Sequence, residues 1–154
     1  RKVLTSLNIL SDEELDSRYH VRLERYIKDM LIEMHTLREM IDTLVLPAAY
    51  TYSGRLAEAA AQAKSAGIKP IPQVDAANKI GTAILDLQKH RDTLSKVIDK
   101  AESMHDDLAK QAQLLTADGA DAMAEVRKCS DLLELSIADD AWPLPKYREM
   151  LFPV

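Results

Sequence analysis

The sequence predicts an all-α protein: a long antiparallel helical hairpin with its first arm kinked near Pro47, and a third helix completing a bundle of coiled-coil character. An extended, proline-containing tail and a short last helix are expected to follow. Three observations carry this. The first is a ladder of core-type positions, Ile80, Ile84, Leu87, Arg91, Leu94, Ile98, Ala101, His105, Leu108, Ala112 and Leu115, with spacings alternating between four and three. That is a heptad seam, and a slightly underwound helix keeps such a seam facing a partner. At 1.5 Å per residue the ladder measures roughly 55 Å, so a partner of similar length must lie beside it. The second observation supplies that partner: Leu15, Tyr19, Leu23, Tyr26, Ile27, Met30, Met34, Leu37, Ile41 and Leu44 repeat the same rhythm upstream. The third is composition. The chain is 47% hydrophobic but only 5% aromatic, with one Phe and one Trp. Aliphatic and methionine side chains must therefore fill the core, whereas a pleated surface draws on aromatic and β-branched residues.

The chain reads as one helical domain over residues 1–154, taken as a piece of something longer because it opens on Arg1 with material that looks mid-chain. Residues 1–10 show no period and form a lead-in segment. Ser11 with Glu14 is a capping box, each closing on the other's amide, and Asp12, Glu13 and Glu14 suit the positive end of a helix dipole. The first arm is expected over 11–66. Pro47 has no amide hydrogen and its ring crowds the carbonyl of Thr43, so a kink belongs there. An alanine-rich stretch then resumes the face with Tyr52, Leu56 and Ala60. Gly67 suits a left-handed cap, and Pro70 and Pro72 bar continuation. A linker over 67–74 turns the chain back into a second arm over 75–116, with Asp75 as its cap. Asp118-Gly119 marks a tight turn. A third helix follows over 119–138, carrying Ala120, Met123, Val126, Leu133 and Ile137, with Leu132 flanking. The tail, 139–154, crosses in extended form through Pro143 and Pro145. It gathers Trp142, Leu144, Tyr147, Met150, Leu151 and Phe152, too much apolar bulk to hang in water, and these six are the docking candidates.

The formal net charge of −5, with both signs interspersed, argues against a nucleic-acid surface, which needs clustered Lys and Arg. The longest apolar run, 44–50, is interrupted by Pro47 and is too short to span a bilayer. No membrane or nucleic-acid partner is expected, and a cytoplasmic location is. Cys129 is the single cysteine and reads as a small apolar residue near the core. Glu102 and His105 have the Glu-x-x-His spacing of di-iron bundles, but such sites need a second motif and two more carboxylates. His105 is read as a core histidine with a partner across the bundle, and Arg91 as one half of an interhelical ion pair or a snorkelling side chain. Glu33 and His35 point in different directions, and His20 and His90 stand alone. The four glycines are scattered, so no phosphate loop is present. No residue is assigned a catalytic, cofactor-binding or metal-binding role.

Two strings resemble a known family. Glu14-Leu15-Asp16-Ser17-Arg18-Tyr19-His20, continuing through Leu23-Glu24-Arg25-Tyr26-Ile27-Lys28 and Ile32-Glu33 to Leu46-Pro47-Ala48-Ala49 and Tyr52, resembles the segment that follows the catalytic domain of type III glutamine synthetases. The stretch from Asp139-Asp140-Ala141-Trp142 through Pro143-Leu144-Pro145-Lys146 to Tyr147-Arg148-Glu149-Met150-Leu151-Phe152 is similar to the end of the same enzymes. Together the strings cover about half the chain, and residues 57–134 carry no signature. The resemblance implies an upstream catalytic domain that makes glutamine from glutamate and ammonia through an ATP-derived γ-glutamyl phosphate, with Mg²⁺ or Mn²⁺. It also implies active sites shared between subunits of stacked rings, hence a bacterial homo-oligomer whose partners for this region are its own catalytic domain and neighbouring subunits. None of the family's ATP, metal or glutamate motifs occurs here. The expected function is therefore non-catalytic docking and subunit assembly; a free-standing helical interaction module is the alternative, and a metalloprotein inside the bundle is a third.

Overall fold

The computed structural model describes residues 2–7, 9–104 and 107–151, apart from the side chains of residues 2, 147 and 148. Every regular element among them is helical. Helix α1 covers Lys2–Ser6, and α2 runs over Asp12–Met40. After a π-turn at Ile41–Val45 the same arm continues as α3, Leu46–Ser65. Helix α4, Ile71–Glu102, returns against α3 and the C-terminal half of α2. The third arm consists of α5 (Leu108–Leu114), a second π-turn (Leu115–Gly119) and α6 (Ala120–Ser136). It packs through α5 on α2 and through α6 on α4. A 3₁₀ turn at Asp139–Ala141 and helix α7, Tyr147–Leu151, make up the tail.

The first arm starts where its local chemistry says it should. The Ser11 hydroxyl accepts from the Glu14 amide at 3.1 Å, and the Glu14 carboxylate accepts from the Ser11 amide at 2.8 Å. Two orphan donors are satisfied at once, a stabilisation of order 1 kcal/mol. Where a kink was expected, the helix carries a π-turn. The Leu46 amide donates to the Ile41 carbonyl, five residues back. That widened turn admits Pro47 into the first turn of α3, where its missing N–H costs nothing. The extra residue also shifts the phase of the seam. Val45 becomes fully buried, while Leu44, expected on the face, is 38% exposed.

At the far end of the hairpin Gly67 adopts φ +76°, the left-handed cap that lets the chain leave α3. The return helix begins earlier than expected: α4 starts at Ile71 with Pro72 in its first turn, so Asp75 lies inside the helix and does not cap it. A proline there loses no needed hydrogen bond and sets a helical φ.

The second arm also ends earlier than the unbroken ladder to Leu115 implied. Helix α4 stops at Glu102, about 48 Å long by helical rise, and the chain turns back before Leu108. Asp107 caps the new helix by accepting from the Lys110 amide at 3.0 Å. Ala112 and Leu115 are buried as expected, but from the third arm. The expected turn at Asp118-Gly119 is absent. Gly119 has helical φ of −66°, and the third arm runs through it as a π-turn. Glycine serves there by close approach: a methyl group in its place would sit 3.3 Å from Met34 Sδ.

One core runs through all three arms. Met34, Ile41, Leu87, Leu94, Ile98, Leu115, Val126 and Leu133 are almost wholly enclosed. Each large aliphatic side chain there contributes about 1.5–3 kcal/mol by leaving water. Of the ladder, Ile80, Ile84, Leu87, Leu94, Ile98 and Ala101 are buried on α4. His105 lies outside the described residues.

Candidate functional site

The tail is built by the end of α6. Ile137 and Ala138 turn extended, with ψ of 139° and 148°, and this swings the 3₁₀ turn and Trp142 back across the bundle. Trp142 keeps only 8% of its surface and joins the core, with Leu144 half-buried against it. Lys146 fixes this return. Its Nζ donates to the Glu134 carbonyl at 3.3 Å, the Ile137 carbonyl at 3.4 Å and Asp139 Oδ1 at 2.6 Å. The first of these acceptors belongs to the last turn of α6 and the second to its C-cap, where a cation also meets the negative end of the helix dipole. From the first arm Arg55 reaches Asp140 at 3.3 Å.

Between α2, α6 and the tail lies an open groove of about 590 Å³, walled by Leu37, Met40, Met123, Trp142, Leu144 and Met150. The indole N–H of Trp142 is enclosed there without an acceptor among the described residues. An unpaired buried donor costs about 1–3 kcal/mol, a penalty that the burial of the ring must exceed.

The six docking candidates therefore divide. Trp142 and Leu144 pack on the bundle itself. Met150 and Leu151 face outward on α7, at 57% and 72% exposure. The side chain of Tyr147, and Phe152 altogether, lie outside the described residues.

Arg91 forms the interhelical ion pair anticipated for it. Its Nε donates to Asp42 Oδ1 at 2.6 Å across the hairpin, and its Nη1 to Asp92 Oδ1 at 2.9 Å. The hydrogen bond to Asp42 raises the guanidinium pKa above its ordinary value, against a smaller opposing effect of burial. Asp42 lies within the first π-turn, so the pair ties α4 to the first arm at that turn.

A second polar cluster was not legible from spacing. Glu102 meets His35, from the first arm: His35 Nε2 stands 2.8 Å from Glu102 Oε1, and Arg38 Nη2 stands 3.0 Å from His35 Nδ1. A guanidinium can only donate, so Nδ1 accepts and Nε2 carries the proton given to Glu102. The arrangement ties α4's last turn to α2, and only the hairpin brings these residues together. Among the described residues no three His, Cys, Asp or Glu side chains gather as a metal site. Nor is any described helix long and apolar enough to cross a membrane. Cys129 is buried, and desolvation, aided by the nearby Asp86 and Glu125 charges, raises its thiol pKa.

Comparison with known proteins gives these shapes a setting. The family model described as glutamine synthetase C-terminal domain matches residues 1–64. A type-3 glutamine synthetase of Dictyostelium discoideum is 31% identical over 98% of this chain and 21% of its own length. Glutamine synthetases of Bacteroides fragilis (strain YCH46), at 28% identity over 99% of this chain, and of Butyrivibrio fibrisolvens, at 30% over 97%, each match over 22% of their own length. The chain spans about a fifth of the length of these relatives. They include a eukaryote, so the match does not confine the chain to bacteria. The similarity covers the middle that carried no signature as well as both ends, and these relatives cover this chain as the C-terminal part of larger glutamine synthetases.

Proposed function

We propose that this chain is the non-catalytic helical region of a larger glutamine synthetase, where it docks on the catalytic portion and supports subunit assembly. One observation carries the reading: nearly the whole chain aligns with proteins about five times longer that bear that enzyme's name. In the parent polypeptide the preceding portion joins ammonia to glutamate at the expense of ATP, with Mg²⁺ or Mn²⁺, in the cytoplasm. This chain's contribution is mechanical. A three-arm rod, closed on itself by Trp142 and Lys146, offers stiff surfaces on which subunits can be registered.

The test is truncation. Removing residues 1–154 from the full-length polypeptide should leave a catalytic portion that no longer reaches the parent's assembly state by sedimentation and loses glutamine formation. A truncated enzyme that assembles and turns over like the parent would refute the proposal.

A further inference from the structure

The seam of α2 is longer than the bundle that covers it. Helix α4 ends at Glu102, whose carboxylate meets the His35 ring of α2 at 2.8 Å. About 35 Å of α2 lies N-terminal to His35, by helical rise. Among the described residues the third arm accompanies it there, with α5 packed on α2 and the Tyr26 and Thr116 hydroxyls 2.8 Å apart. Leu23 still packs against the core, but the heptad face continues beyond it through the exposed Tyr19 to the half-buried Leu15. Tyr19 is 54% exposed, and an open groove of about 430 Å³ is lined, among the described residues, by Leu15, Asp16, Tyr19 and His20. Val3, Leu7 and Ile9, just ahead in the chain, are exposed as well. A seam kept in register beyond its partner helix marks a place where another surface completes the packing.

The occupant follows from what adjoins this end. The relatives extend beyond the match by roughly four-fifths of their length. The matched family is a C-terminal domain, so that portion precedes the chain and reaches it at this end, immediately before the overhang. Resting on the function proposed above, we infer that the N-terminal overhang of α2, centred on Leu15 and Tyr19, is the seat of the catalytic portion of the same enzyme. An apolar surface of that portion takes the place on the seam that α4 vacates.

The experiment uses the full-length polypeptide with the photo-crosslinking residue benzoylphenylalanine placed at Tyr19, on the open seam, and in a second preparation at Arg25, on the solvent side of the same helix. Both positions are exposed, so neither substitution tests folding. Irradiation and peptide mapping should find position 19 joined to peptides of the preceding portion, with that product missing at position 25. Products joining position 19 to residues 1–154 of a second copy would overturn the assignment in favour of self-association. No product at position 19, or equal product at both positions, would overturn it too. The two proposals fail separately. If truncation abolishes assembly while position 19 finds only a second copy, the overhang assignment alone is lost. If truncation changes nothing, the functional reading is lost.

Discussion

Replacing Trp142 with alanine tests whether the tail belongs to the bundle or merely rests near it. A tryptophan side chain buries on the order of 200 Å², and Trp142 is 8% exposed, so at about 25 cal/mol per Å² the ring contributes roughly 5 kcal/mol as an upper bound. Its enclosed, unpaired indole N–H offsets about 1–3 kcal/mol of that. The net loss for Trp142→Ala is then about 3 kcal/mol, at the low end of the range for large-to-small core changes. Trp142→Phe keeps much of the ring and removes the unpaired donor, so it should cost less than about 1.5 kcal/mol. Urea unfolding followed by far-UV circular dichroism reads both. With a slope near 2 kcal/mol per M, Trp142→Ala should move the midpoint down by about 1.5 M at unchanged slope. A shift under about 0.3 M would refute the reasoning, because it would mean that Trp142 finds no stabilising contact on the three arms.

Three further outcomes are expected. Gly67→Ala forces a side chain into φ +76° and should cost about 1–2 kcal/mol in the same assay through backbone strain alone, since the added methyl meets open space; a neutral result would mean that the hairpin corner relaxes freely. Asp42 and Arg91 are each about a third exposed, so a double-mutant cycle with Asp42→Asn and Arg91→Met should give a coupling of only about 0.5–1 kcal/mol, shrinking in high salt; no coupling at low salt would count against the 2.6 Å pair. Burial raises the folded-state pKa of Cys129, so its contribution is intact below the ordinary thiol value and is lost as pH rises through the raised one. The stability margin of the native chain over Cys129→Ala should therefore narrow in alkaline solution, and a margin independent of pH would refute the assignment.

Several features of this protein were decided by residues within a turn or two of one another, and these were legible in the sequence. The Ser11–Glu14 box, the left-handed Gly67 and the interruption at Pro47 are local, because each depends on hydrogen bonds or dihedrals spanning a few residues. The seam from Ile80 to Ala101 was equally plain, because its period is set by the helix itself. Where the second arm ends was not. Ala112 and Leu115 continue the same heptad phase, and periodicity cannot distinguish one long helix from two that meet in phase. Only the packing of α5 on α2 settles that the chain reverses before Leu108. Asp118-Gly119 has the chemistry of a turn, but Gly119 is needed against Met34, and tertiary packing overrode local preference. The meeting of His35 with Glu102, and the placing of Trp142, Leu37 and Met40 around one groove, join residues far apart in the chain, and no spacing rule reaches that distance. The sequence alone determined which faces are apolar and where the regular α-helix of the first arm is interrupted. The tertiary structure decided which surfaces those faces meet, because pairing is settled by competition among all the buried partners at once.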